Sequence, residues 1–193
     1  MRKPLPIGIQ TFKDIVQGGF LYVDKTSIIY ELIHNPKGAY FLSRPRRFGK
    51  SLLVSTLEEI FLGNRDLFQD FWLYDSPYQW TPHPVIHMDF SRRRVESADE
   101  LEIVISEHLH QIAATYEIKL TGRNYLAEFE NLIRTLSAQN QVVILIDEYD
   151  KPILDSIDNL AEVEPIQNVL KGFYTVIKSL DAYVRFVLLT GIS

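Results

Sequence analysis

The chain has 193 residues, enough for one domain with its own hydrophobic core. Its formal net charge of −5 argues against a broad non-specific nucleic-acid surface, and the absence of cysteine excludes disulfides, thiolate nucleophiles and Cys-based metal sites. No apolar run approaches the roughly 20 residues of a membrane span, and the start Met1-Arg2-Lys3-Pro4-Leu5-Pro6 leads into no signal-peptide core, so a cytoplasmic setting without membrane contact is expected.

Residues 1–38 read as an N-terminal segment ahead of the first core strand. Pro4, Pro6 and Gly8 mark an irregular start, and Thr11–Val16 suggests one or two helical turns broken by Gly18-Gly19. Phe20-Leu21-Tyr22-Val23 is short and extended. Asp24 or Thr26 can cap a helix carrying Ile28, Ile29, Leu32 and Ile33 at helical spacing, stopped by Asn35-Pro36-Lys37-Gly38. Lys25 reads as a surface charge or a partner for Asp24.

Ala39-Tyr40-Phe41-Leu42 leads into a loop, and Gly49-Lys50-Ser51 opens an amphipathic helix running to about Leu62. Strand, loop, Gly-Lys-Ser, helix is the layout of a phosphate-binding loop. Unpaired N–H groups and the positive dipole end of a helix both face an incoming anion there. Lys50 would reach the β- and γ-phosphates, and the Ser51 hydroxyl would ligate Mg²⁺. The full pattern begins with a glycine, and here that position is Arg44. Gly-Lys-Ser alone is weak, since a turn entering a helix with a solvated lysine reads the same.

Residues 64–84 are rich in aromatics and proline (Phe68, Phe71, Trp72, Tyr74, Tyr78, Trp80), which suits core packing better than base stacking. Val85–Phe90 reads as a second buried strand. Arg92-Arg93-Arg94 after it is a solvated loop or an anion contact. Helices follow over about Ala98–Tyr116 and Asn124–Ala138. His108 and His110 sit two apart and so face different ways on a helix, and His83 and His87 have no acidic or cysteine companions at ligand spacing, so no structural metal site is expected.

Val142–Ile146 is a continuous apolar run ending in Asp147-Glu148, the form of a central parallel strand covered on both faces. Two carboxylates ending a buried strand are costly unless a cation needs them there. A Mg²⁺–nucleotide supplies that need: Asp147 would hold the metal and Glu148 would orient and deprotonate a water. A helix from about Glu164 to Leu180 precedes a fourth buried strand, Tyr183–Thr190. Its Thr190 would sense the γ-phosphate, or bond the backbone as a strand-end hydroxyl.

Four stretches resemble the bacterial AAA-ATPase-like family, in family order and over nearly the whole chain. They are Phe20–Thr26 (FLYVDKT), Ser43–Leu52 (SRPRRFGKSL), Ile146–Pro152 (IDEYDKP) and Leu189-Thr190-Gly191. The resemblance implies an α/β, three-layer P-loop ATPase core over 39–193, of the additional-strand, catalytic-glutamate class. Its parallel sheet would use strands near 39–43, 85–90, 142–147 and 184–190, in the spatial order 5-1-4-3-2 and cut before the fifth strand. It also implies ATP and Mg²⁺ as cofactors, with Lys50 and Ser51 on phosphate and metal, Asp147 on metal, Glu148 hydrolytic and Thr190 as sensor.

The loop Arg44, Arg46, Arg47, Phe48, Gly49, Lys50, Ser51 and Leu52 would cradle the phosphates, with arginine charge replacing donors lost at Pro45. Residues 1–38 are the candidate for adenine-side contacts, where Tyr22 and Phe12 would stack on the base or serve as ordinary core aromatics, the second reading being favoured. Family members commonly continue into a PD-(D/E)XK nuclease-like domain, so coupling to a missing C-terminal region or a homo-oligomer is expected. The alternative is an ATP-binding switch or scaffold with little hydrolysis.

Overall fold

Four apolar runs pair into one parallel sheet in the computed structural model, which describes residues 3–35 and 37–192. The strands β1 (Gly38–Ser43), β2 (Val85–Asp89), β3 (Val142–Asp147) and β4 (Val184–Gly191) lie in the order β1-β4-β3-β2, with every neighbouring pair parallel. Where the resemblance places a fifth strand beside β1, none pairs among the described residues, and Ala39 and Phe41 are exposed along that edge. All of β3 is buried. That accounts for its unbroken apolar run, because a strand flanked by strands and covered on both faces has no solvent face to make polar.

Helices cover both faces. On one side α1 (Phe12–Gln17), α2 (Thr26–Ile33) and α3 (Lys50–Phe61) share a core with the sheet residues Val143, Leu145, Phe186 and Leu188. On the other, α4 (Ala98–Thr115), α5 (Tyr125–Leu136) and α7 (Leu160–Ser179) pack on Ile86, Met88, Ile144, Ile146, Val187 and Leu189. Phe129 of α5 and Phe173 of α7 stack there at 4.1 Å between ring centres. Ser97 and Asn124 cap α4 and α5 by accepting from the backbone N–H of Glu100 and Ala127.

Several elements differ from the sequence expectation. Pro36, within the expected helix stop, and the terminal residues Met1, Arg2 and Ser193 lie outside the described residues. Phe20–Val23 joins no strand, although Leu21 N–H donates to Pro4 O. A short helix, α6 (Lys151–Asp155), follows the acidic strand. Helix α7 starts at Leu160 rather than Glu164, with Pro165 inside it. A proline that early removes one intrahelical bond, and five buried positions further along α7 hold the helix. Ile28 stands exposed while Ile29 and Ile33 are buried.

The N-terminal segment is docked on the core by polar locks as well as apolar contacts. Phe12 N–H donates to Ser55 Oγ of α3, at 2.9 Å. Asp24 accepts from Thr26 N–H (2.8 Å), the Thr26 hydroxyl (2.7 Å) and Trp72 N–H (2.8 Å), and the Thr26 hydroxyl accepts from Leu73 N–H. The N-cap of α2 is Lys25, without a side-chain cap, and Asp24 just before it accepts from the first helical N–H and ties α2 to the aromatic connecting segment, whose Phe68 and Leu73 are fully buried. That segment packs into the core, as expected.

Between β3 and β4 the ladder is irregular: Val142 pairs with Val184 and Val143 with Phe186, so Arg185 is an extra, bulged residue.

Candidate functional site

A parallel sheet with helices on both faces presents its ligand crevice at the carboxyl ends of its strands. Here that edge gathers the loop after β1, the end of β3 and the end of β4, with Leu42 opposite Thr190 and Ser43 opposite Gly191. Gly49, at φ 78°, precedes α3, and Arg47 also takes a left-handed backbone at φ 68°. Left-handed geometry costs Arg47 what it does not cost Gly49, and such strain concentrates at ligand clamps. Lys50 begins α3 and is 6% exposed, its ammonium donating to the carbonyls of Arg44 (3.0 Å) and Pro45 (3.4 Å). The lysine that would meet a phosphate thus holds its own loop closed.

Ser51 and Leu52 are half-buried in the first turn of α3. Arg44, Arg46, Arg47 and Phe48 are exposed around it. Arg44 is anchored from its backbone, whose N–H donates to Gly191 O, and its Nη1 donates to Ser43 O at 3.0 Å. The Arg46 and Arg47 side chains project from the loop as open cationic positions.

The acidic end of β3 is laced to β4. Asp147, 4% exposed, accepts from the Thr190 hydroxyl. The same Thr190 Oγ1 accepts from Glu148 N–H at 3.1 Å, and Thr190 O accepts from Tyr149 N–H at 2.8 Å. Glu148 is half-buried, with left-handed backbone at φ 52°. Asp150 accepts from Ile192 N–H at 2.9 Å, and a Cβ on Gly191 would come within 2.9 Å of its carboxyl, too close to fit without a shift. Thr190 therefore bonds backbone, as the strand-end reading expects, and it also touches the candidate metal carboxylate.

The donor set suits a Mg²⁺ site. Among the described residues the Thr190 hydroxyl is the one hydrogen-bond partner of the buried Asp147 carboxylate, and no cationic side chain pairs with it. A buried carboxylate so placed is costly without a cation. Mg²⁺ takes few protein ligands and keeps water or phosphate for the rest.

Beside the loop lies a mostly apolar cleft of about 620 Å³, walled by the N-terminal segment on one side and α3 on the other. Leu21, Tyr22, Ile28, Phe48 and Leu52 line it, with Lys25 and Arg44 adding charge. Phe48 is 69% exposed. Burial pushes the Tyr22 phenol above its ordinary value, opposed by its Thr56 contact and aided by the Asp24 charge. Phe12, the other aromatic expected on this side, is fully buried and stacked on Phe68 at 4.6 Å. It is a core ring.

The cleft lysine was not legible as a site residue, because its place depends on Asp24 anchoring α2. Arg92, Arg93 and Arg94 form no shared anion site: each pairs with a nearby carboxylate, Asp89, Glu100 with Glu107, and Glu96 respectively.

Comparison with known proteins gives the family. The family described as "Predicted AAA-ATPase" matches residues 6–193. An uncharacterised protein from the vnfD 5′ region of Azotobacter chroococcum mcd 1 is 44% identical over the whole of this chain. The chain spans 38% of the length of that relative. No helix among the described residues is long and apolar enough to cross a membrane.

Proposed function

The chain belongs to the AAA-ATPase-like family, and from that premise we propose that it is a P-loop domain that binds Mg²⁺–ATP at the carboxyl edge of its sheet and hydrolyses it to ADP and phosphate. The observation that carries this reading is the buried Asp147 carboxylate, held by Thr190 and paired with no cation among the described residues.

In this reading Lys50 leaves the Arg44 and Pro45 carbonyls for the β- and γ-phosphates. The N–H groups of Gly49, Lys50, Ser51 and Leu52 at the start of α3 face the same anion, and Arg44, Arg46 and Arg47 add grip from the rim. The Ser51 hydroxyl and Asp147 would hold Mg²⁺, whose chemistry there would be to neutralise charge on the phosphate oxygens. Glu148 orients a water and takes its proton as the water oxygen bonds to the γ-phosphorus. The bond from that phosphorus to the β–γ bridging oxygen breaks, and ADP leaves. Thr190 keeps Asp147 and Glu148 in register across this step. The adenine enters the apolar cleft against Tyr22, Phe48 and Leu52.

Pro45, which has no N–H to donate, favours a second reading: a nucleotide switch with little turnover. As further proposals, the work coupled to ATP resides in a region beyond this chain or in a homo-oligomer, and the setting is cytoplasmic. Calorimetry with Mg²⁺–ATP on the natural chain and on Lys50→Ala tests binding. A turnover assay with Glu148→Gln separates the two readings: an ATPase loses turnover while keeping affinity, and a switch changes little.

A further inference from the structure

At the opposite pole, by the amino ends of the strands, lies a second cavity of about 410 Å³, lined by Tyr30, His34, Tyr78, Trp80, His83 and Arg185 among others. The bulge in β4 places Arg185 there. Bulges re-aim side chains and accumulate at functional positions. One guanidinium nitrogen, Nη2, donates to Ile33 O at the end of α2, at 2.7 Å. A cation is favourable at a helix carboxyl end, so this bond has a structural account.

The other nitrogen lacks any acceptor, although the guanidinium also lies over the Phe61 ring at 5.8 Å. Arg185 Nη1 is enclosed with no acceptor, and so is the indole Nε1 of Trp80, itself strained at φ 50°. An enclosed donor without an acceptor is costly, and in native proteins it calls for a missing ion or ligand. Charge balance points the same way: no Asp or Glu lines the cavity. The titratable groups that act on Arg185 are Tyr78 and Tyr40, and burial pushes Tyr78 up to about 12, leaving it neutral. His83 supplies no counter-charge either. Its Nδ1 lies 2.8 Å from Gln141 O and so carries the proton, while burial lowers its pKa.

We infer that this cavity binds a small planar carboxylate, taken by Arg185 and Trp80. One guanidinium matches a monoanion, whereas a phosphate dianion would need more positive charge than the lining provides. Two N–H donors suit two in-plane oxygens, and Tyr30 and His34, stacked on each other at 5.5 Å, add aromatic surface to the lining for a planar body. Both nitrogens are covered by protein atoms, so occupancy requires the atoms over them to yield.

The indole reports that movement. Trp72 and Trp80 are the two tryptophans, so Trp72→Phe leaves Trp80 as the sole emitter. In that background benzoate should change the emission saturably. Benzamide, its uncharged counterpart, and inorganic phosphate should bind at least about tenfold more weakly. Arg185→Lys, which keeps a donor for Ile33 O, should weaken benzoate by a similar factor. Ligand-observed NMR of benzoate on the natural chain repeats the comparison without any substitution. No saturable response, equal responses to benzoate and benzamide, or a stronger response to phosphate would overturn the assignment. No nucleotide enters these measurements, so their outcome is independent of the ATPase reading.

Discussion

Thr190 and Asp147 meet across the two central strands: the hydroxyl at the end of β4 donates to the carboxylate at the end of β3 and accepts from the N–H of Glu148. One side chain thereby sets both acids that the proposed chemistry uses. Thr190→Val keeps the shape and removes the hydroxyl, leaving a buried carboxylate and a backbone donor unmatched. The expected cost is about 2 kcal/mol, read as a lower urea midpoint, with turnover falling more than ATP affinity. Thr190→Ser should restore most of both.

Glu148→Gln should abolish Mg²⁺-dependent phosphate release, by about a hundredfold or more, with nucleotide affinity retained. Single-turnover phosphate release beside equilibrium binding decides this. Unchanged release would leave the switch reading standing.

Asp24 carries a pH prediction. Burial alone would raise its pKa, yet hydrogen bonds from Trp72 N–H and from Thr26 hold it below the ordinary carboxylate value. A pKa lowered in the folded state contributes stability above the unfolded value, about 3.9, and loses it as pH falls through the folded value. Asp24→Asn should therefore lower stability at pH 7 and flatten the acid limb of a melting curve below about pH 4. Asp24→Ala should cost about 1–3 kcal/mol at pH 7, since it also removes the acceptors of Thr26 and Trp72.

Ile28 tests the cleft. It is 69% exposed, so Ile28→Ser should leave the melting temperature within a degree or two, as surface changes do. ATP should bind about threefold to tenfold more weakly while inorganic triphosphate is unaffected, because only the base touches that wall. Equal weakening of both ligands would remove the cleft as the adenine site.

The legible parts of this molecule were those whose chemistry is local. Five apolar residues before Asp147 announce a covered parallel strand, and Gly49-Lys50-Ser51 announces a helix opening onto an anion. What stayed hidden depends on distant partners. The bond from Trp72 N–H to Asp24 spans 48 residues, and no pattern around either residue foretells it. Arg185 sits in a strand without polar alternation, so the bulge that displaces it leaves no periodic trace. The start of α7 lies at Leu160 rather than about Glu164 because the helix has enough packed length to carry Pro165 inside, although proline usually stands at a helix start.

The packing of Asp150 against Gly191 has an evolutionary corollary. The carboxyl fills the volume that any larger residue would need, and it also holds the following backbone at Ile192. Neither position can drift alone: a side chain at 191 demands a shorter one at 150. Across divergent relatives these two sites should covary, Asp with Gly or a smaller residue with a larger one, forty-one positions apart yet inherited as a single character.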